Sequence, residues 1–117
     1  MSSELSKQEQ LRDRTKKFAL KIIRLFQRLP RSTEAQVLGR QLLRSVTSVG
    51  ANYRAAGRAR SKAEFISKIG IVVEEADETV FWLAESGIVN RELLKEFLTE
   101  ANEFVAIFAA SQRTARS

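Results

Sequence analysis

The sequence has no cysteine, no histidine, one proline (Pro30) and five glycines in 117 residues. Without cysteine there is no disulfide and no thiolate metal site, as expected of a protein of the reducing cytoplasm. Without histidine it lacks the usual general acid or base at neutral pH and the commonest metal ligand. Di-metal four-helix proteins need Glu-x-x-His pairs, which this chain cannot make. No apolar run approaches the roughly 18 residues that cross a bilayer. Residues 1–6, Met-Ser-Ser-Glu-Leu-Ser, carry no signal-peptide apolar region. Glu74, Glu75, Asp77 and Glu78 could in principle supply paired carboxylates. No nucleophile stands beside a base and no glycine-rich phosphate loop accompanies them, so they read as ion-pair partners. We expect no enzyme activity, no catalytic residue, no metal or other cofactor, and no membrane partner.

What is present is a hydrophobic fraction of 44%, enough for one core in one domain spanning residues 1–117. The net charge is +6 and unevenly placed. Residues 1–62 hold 15 Lys and Arg against 4 Asp and Glu (+11); residues 63–117 hold 5 against 10 (−5). Such asymmetry points to nucleic acid, to an acidic partner, or to the two halves pairing with each other.

Apolar residues recur at steps of 3 and 4 in four segments, which predicts helices over about 8–29, 34–56, 62–86 and 91–111. The first seam is Leu11, Thr15, Phe18, Ile22, Leu25 and Leu29, ended by Pro30. The second is Leu38, Leu42, Val46, Val49, Tyr53 and Ala56. Thr33 and Gln36 form a candidate capping box at its start, and Gly57 suits a position of positive φ just past its end. The third seam is Phe65, Ile69, Val72, Ala76, Val80 and Leu83, opened by a Ser61/Glu64 capping box and stopped by Gly87. The fourth, after an Asn90 cap, is Leu94, Phe97, Ala101, Phe104, Phe108 and Ser111, with residues 112–117 as a frayed tail. Connections of about three to five residues favour an all-α, antiparallel up-down-up-down four-helix bundle.

Arg14, Lys17, Lys21, Arg24, Arg28 and Arg31 share one face of the first helix, with no acid along that stripe. Such a stripe can track phosphates, or it is a solvated helix face. Arg40, Arg44, Arg54 and Arg58 share a face of the second helix. If the second and third helices turn near residue 59, Arg44 comes level with Glu74, Arg40 with Glu78 and Arg54 with Glu64, and ion pairing explains most of the set. Arg58, Arg60 and Lys62, in the turn, have no evident acidic partners and are candidates for anion contact. Gly39 and Gly50 lie on one line of the second helix, where close approach of another backbone offsets the roughly 1 kcal/mol cost of interior glycine. That backbone belongs either to this chain or to a second copy. Phe81 and Trp82 point about 100° apart and cannot share one seam. This surplus apolar surface argues for self-association, with Gly50, Asn52, Tyr53, Phe81 and Trp82 as candidate interface residues.

Residues 38–89 resemble a known bacterial family. The matching segments are Gly39-Arg40-Gln41-Leu42-Leu43-Arg44-Ser45, Ser48-Val49-Gly50-Ala51-Asn52-Tyr53-Arg54-Ala55-Ala56 and Arg60-Ser61-Lys62-Ala63-Glu64-Phe65, followed by Glu74-Glu75-Ala76-Asp77-Glu78-Thr79 and Trp82-Leu83. They are similar to the four-helix-bundle family first noticed in intervening sequences inserted in 23S rRNA genes. Relatives of that family include the accessory variability determinant proteins of diversity-generating retroelements. Many members read Asn-Ile-Ala-Glu-Gly where this chain reads Asn52-Tyr53-Arg54-Ala55-Ala56, which marks a separate branch. The resemblance implies a homopentameric ring and, in the retroelement branch, a basic surface that contacts reverse transcriptase and nucleic acid. The expected function is therefore a non-enzymatic, ring-like homo-oligomer binding RNA or DNA with little sequence specificity. The alternative is a protein-interaction scaffold with no nucleic-acid role.

Overall fold

A computed structural model describes residues 6–86 and 90–117. They form four helices: α1 Lys7–Phe26, α2 Thr33–Ala56, α3 Lys62–Glu85 and α4 Arg91–Arg116, with no strand among the described residues. Every position of the four apolar seams is buried or half-buried. The shared core is centred on Phe18, Ile22, Leu42, Val46, Ile69, Val72, Leu83, Phe104 and Phe108, consistent with a four-helix bundle. Burying each of these large side chains stabilises the fold by about 1.5–3 kcal/mol relative to exposure.

Local chemistry sets the helix ends. Ser6 and Glu9 form a full capping box on α1, with Glu9 N–H donating to Ser6 Oγ at 3.1 Å. The cap of α2 is Ser32, one residue before the expected Thr33; its Oγ accepts from Ala35 N–H at 3.2 Å. Gln36 instead turns its amide toward Pro30 O at 3.4 Å. At α3, Ser61 Oγ accepts from Glu64 N–H at 3.0 Å, while the Glu64 carboxylate accepts from Arg60 N–H at 3.1 Å rather than from Ser61. Asn90 caps α4 through Leu93 N–H at 3.0 Å. The expected stop at Gly87 and residues 1–5 lie outside the described residues.

Three expectations are corrected. Gly57 has φ −64°, not a positive φ. The helix leaves through tight turns, Arg58 N–H to Ala55 O and Ala59 N–H to Ala56 O, both 3.1 Å, so its last carbonyls need no left-handed residue. The first helix ends at Phe26 rather than 29, with Arg28 N–H on Leu25 O and Leu29 N–H on Phe26 O winding down ahead of Pro30. Residues 112–116 are helical rather than frayed. They lie along α3: Lys62 Nζ reaches Ser117 O at 3.4 Å, and the Gln112 amide would stand 3.0 Å from a Cβ at Gly70.

The seams between helices differ in kind. Gly39 and Gly50 both face α1. A Cβ at Gly39 would run into the Phe26 ring, so its bare backbone is needed there. Between α2 and α3 two buried hydroxyls meet, Thr79 Oγ1 and Ser45 Oγ at 3.1 Å. Each also lies near its own backbone, Thr79 Oγ1 2.8 Å from Glu75 O and Ser45 Oγ 3.1 Å from Leu42 O. By contrast, α1 and α4 keep their Cα atoms more than 8 Å apart. Aromatic rings span that gap: Phe18 lies 6.0 Å from Phe97 and 5.5 Å from Phe104, centroid to centroid. No buried side-chain nitrogen or oxygen among the described residues lacks a hydrogen-bond partner.

Candidate interaction surfaces

The basic stripe of α1 divides in the folded chain. Arg14 leans over the Phe104 ring, 4.8 Å from its centroid, and binds the Glu100 carboxylate through two nitrogens and Glu103 at 3.2 Å. The hydrogen bond to Glu100 raises its pKa above the ordinary arginine value. Arg14 thus closes the α1–α4 seam. Lys17 pairs with Asp13 at 2.8 Å, one turn back on its own helix. Lys21 borders a cleft that also holds Glu92, Lys95 and Glu96 of α4. Lys21 and Arg24 on α1, and Arg28 and Arg31 in the connection past its end at Phe26 and so off the expected helix face, are exposed and, among the described residues, form no ion pair.

On α2 only Arg44 takes part in the expected pairing. It meets Glu75 at 3.0 Å and also Glu78, rather than the Glu74 placed level with it. Side chains lean toward the N-terminus of their own helix, so charged tips meet away from where their Cα atoms are level. Glu78 also accepts from the Trp82 indole N–H at 3.0 Å. These bonds, that from Arg44 foremost, hold the Glu78 carboxyl at about 2, below its ordinary value. Arg40, Arg54 and Arg58 are exposed and unpaired among the described residues, so ion pairing accounts for one of the four arginines. Arg58, Arg60 and Lys62 stand exposed at the α2–α3 turn. The helical end of α4 brings Arg113 and Arg116 to the same end of the molecule as Lys62.

The five candidate interface residues separate as well. Tyr53 is 7% exposed and its ring packs on Phe108 at 4.9 Å, so its side chain belongs to the core; burial raises its phenol pKa. Asn52 is half-buried and donates to Ser48 O at 2.9 Å, one turn back on α2. Trp82 is half-buried, pinned by Glu78, and meets Phe81 edge-on at 4.9 Å. Phe81 itself is 54% exposed. Gly50 lies 3.5 Å from Thr15, measured from an added Cβ, and stays half-exposed.

Gly50 opens onto a feature that periodicity did not reveal, a groove of about 660 Å³ between α1 and α2. Its floor includes Ala19, Leu20, Ile23, Gly50 and Ala51. The sequence signal was the Gly50-Ala51 pair, a small-residue step on α2 that packs against α1 at Thr15. The partners of Arg14 were also missed, because Glu100 lies 86 residues away. Their signal was the unbalanced charge of the two halves, which at this point pair with each other. Among the described residues, no three His, Cys, Asp or Glu side chains gather to hold a metal, and no helix is long and apolar enough to cross a membrane.

No curated protein matches the chain. Among solved structures it resembles a crystal structure from Bacteroides thetaiotaomicron, a protein of unknown function from the S23 ribosomal protein family. The two are 33% identical, with 86% of this chain and 96% of that chain covered at a TM-score of 0.78. The model of the 23S rRNA-intervening sequence proteins matches residues 7–110, from the first turn of α1 nearly to the end of α4. A match of that extent, on a shared four-helix fold, makes the chain a member of the 23S rRNA-intervening sequence protein family.

Proposed function

We propose that this chain is a non-enzymatic, self-associating protein that binds structured RNA through phosphate contacts with little sequence specificity. The observation that carries the reading is the residue of charge left after internal pairing. Arg14, Lys17 and Arg44 are taken up by carboxylates, while Lys21 and Arg24 on α1 and Arg28 and Arg31 just past its end remain exposed with no carboxylate partner among the described residues. Each cation that meets a phosphate releases counterions, so affinity falls with salt. RNA is the polyanion to test first, because the family and the similar Bacteroides protein both carry ribosomal names. A reverse transcriptase partner would follow from the resemblance to accessory variability determinants alone.

The reading includes an antiparallel up-down-up-down order and assembly into a ring-like homo-oligomer, a pentamer by resemblance. Antiparallel packing is supported by Thr15 against Gly50 with Phe26 against Gly39, and by Lys62 near Ser117 with Gln112 near Gly70.

The test is binding of a labelled RNA hairpin at two salt concentrations. Changing Lys21, Arg24, Arg28 and Arg31 together to Ala should weaken binding to all sequences. It should also flatten the log–log salt slope by up to about 0.9 per lost contact. Undiminished binding by that variant would remove the stripe from the function. A wild-type chain that binds no RNA at low salt would favour the scaffold reading, which the exposed Phe81 supports.

A further inference from the structure

We propose that the α1–α2 groove of one copy receives the exposed outer face of α3 from a second copy, in a head-to-tail contact. The inference rests on the self-association in the function proposed above and names the two surfaces that carry it.

The two surfaces are complementary in polarity. The groove floor is apolar, with Leu20 40% exposed. Along the outer face of α3, Ile71 is 37% and Phe81 54% exposed. Single exposed apolar residues are ordinary. Here the ring is also held in place: Phe81 is braced edge-on by Trp82, whose indole is anchored to Glu78. An anchor already fixed in the free chain loses little freedom on docking.

They are complementary in charge. Arg12, Lys16 and Arg54 rim the groove and form no ion pair among the described residues. The acids beside them are engaged, Asp13 with Lys17 at 2.8 Å and Glu9 in the α1 capping box. Between Ile69 and Asn90 the chain has no Lys or Arg and five acids, of which Glu74, Asp77 and Glu85 are exposed. An acidic face that carries two exposed apolar residues, Ile71 and Phe81, thus meets a base-rimmed apolar groove.

In the head-to-tail contact proposed, one groove meets one ridge, the outer face of α3, so each pair keeps a free groove and a free ridge. Such a contact is heterologous and propagates into a closed ring or a filament.

The experiment is light scattering coupled to size exclusion on the full chain. It uses groove variants Leu20→Glu and Ala51→Glu and ridge variants Phe81→Glu and Ile71→Glu. All four positions are solvent-facing, so each variant should keep the wild-type helical circular dichroism, and only those that do are compared. The wild type should be an oligomer and every variant alone a monomer. Mixing Leu20→Glu with Phe81→Glu should give a one-to-one dimer, because one intact ridge and one intact groove remain to meet. Variants that stay oligomeric beside an oligomeric wild type would overturn the docking and leave self-association standing. Variants that are monomeric both alone and mixed would overturn the head-to-tail pairing. A monomeric wild type would overturn self-association itself, and this inference with it.

Discussion

The seam between α2 and α3 and the gap between α1 and α4 close the same core by opposite means. Across the first, small groups let the helices come close: Ser45 and Thr79 are both fully buried and their hydroxyls touch. Across the second, the backbones stay more than 8 Å apart, and Phe18, Phe97, Phe104 and the Arg14 guanidinium fill the distance. A tight seam tolerates no added volume, whereas a wide one depends on each large side chain that spans it.

Removing a spanning ring should have the largest effect. Phe18→Ala leaves a hole facing Phe97 and Phe104 and should cost about 3–5 kcal/mol in urea unfolding. Adding volume to the tight seam should come next. Ser45→Leu forces apart helices that meet at Thr79 and should cost about 1–3 kcal/mol, although leucine is the better helix former. A neutral result there would erase the contrast between the seams. Arg14→Ala should cost about 1 kcal/mol through its ion pairs and its contact with Phe104, and the difference should shrink as salt is raised.

The smallest effect should come from acid. Glu78 has its folded pKa lowered to about 2 from an ordinary 4.5. Its contribution is therefore fully present above 4.5 and is lost as pH falls toward 2. The pair is partly solvated, so the contribution should stay below about 1 kcal/mol. Trp82 is the sole tryptophan and touches Glu78, so its fluorescence should report the protonation, and Glu78→Gln should abolish that titration.

The elements were legible because their signals are local. Steps of 3 and 4 place Phe18, Ile22, Leu42 and Phe104 in the core wherever the partner helices lie. Asn90 and Ser61 find their N–H groups three residues away. The misplaced details depend on geometry beyond a few residues. Ser32 rather than Thr33 caps α2, because the serine immediately before the helix has the extended backbone from which its hydroxyl reaches Ala35. Arg44 reaches Glu75 and Glu78 because long side chains meet at their tips. The free stripe on α1 shrank because the helix ends at Phe26, before Arg28 and Arg31, and because Arg14 found acids on the last helix; helical periodicity says nothing about which faces meet across the core. For the same reason the α1–α2 groove, a property of two helices together, was not visible in either.

The spacing of α1 from α4 also orders the molecule in time. A helix held on one side by side-chain tips and on the other by α2 has fewer neighbours to break before it opens. Its amides should exchange with solvent through sub-global opening, ahead of those of α2 and α3, whose protection should approach that of global unfolding. The gap frees α4 on that side too, but α1 makes fewer close backbone approaches to α2 than α4 makes to α3, so the helix carrying Lys21 and Arg24 should detach most readily from the rest.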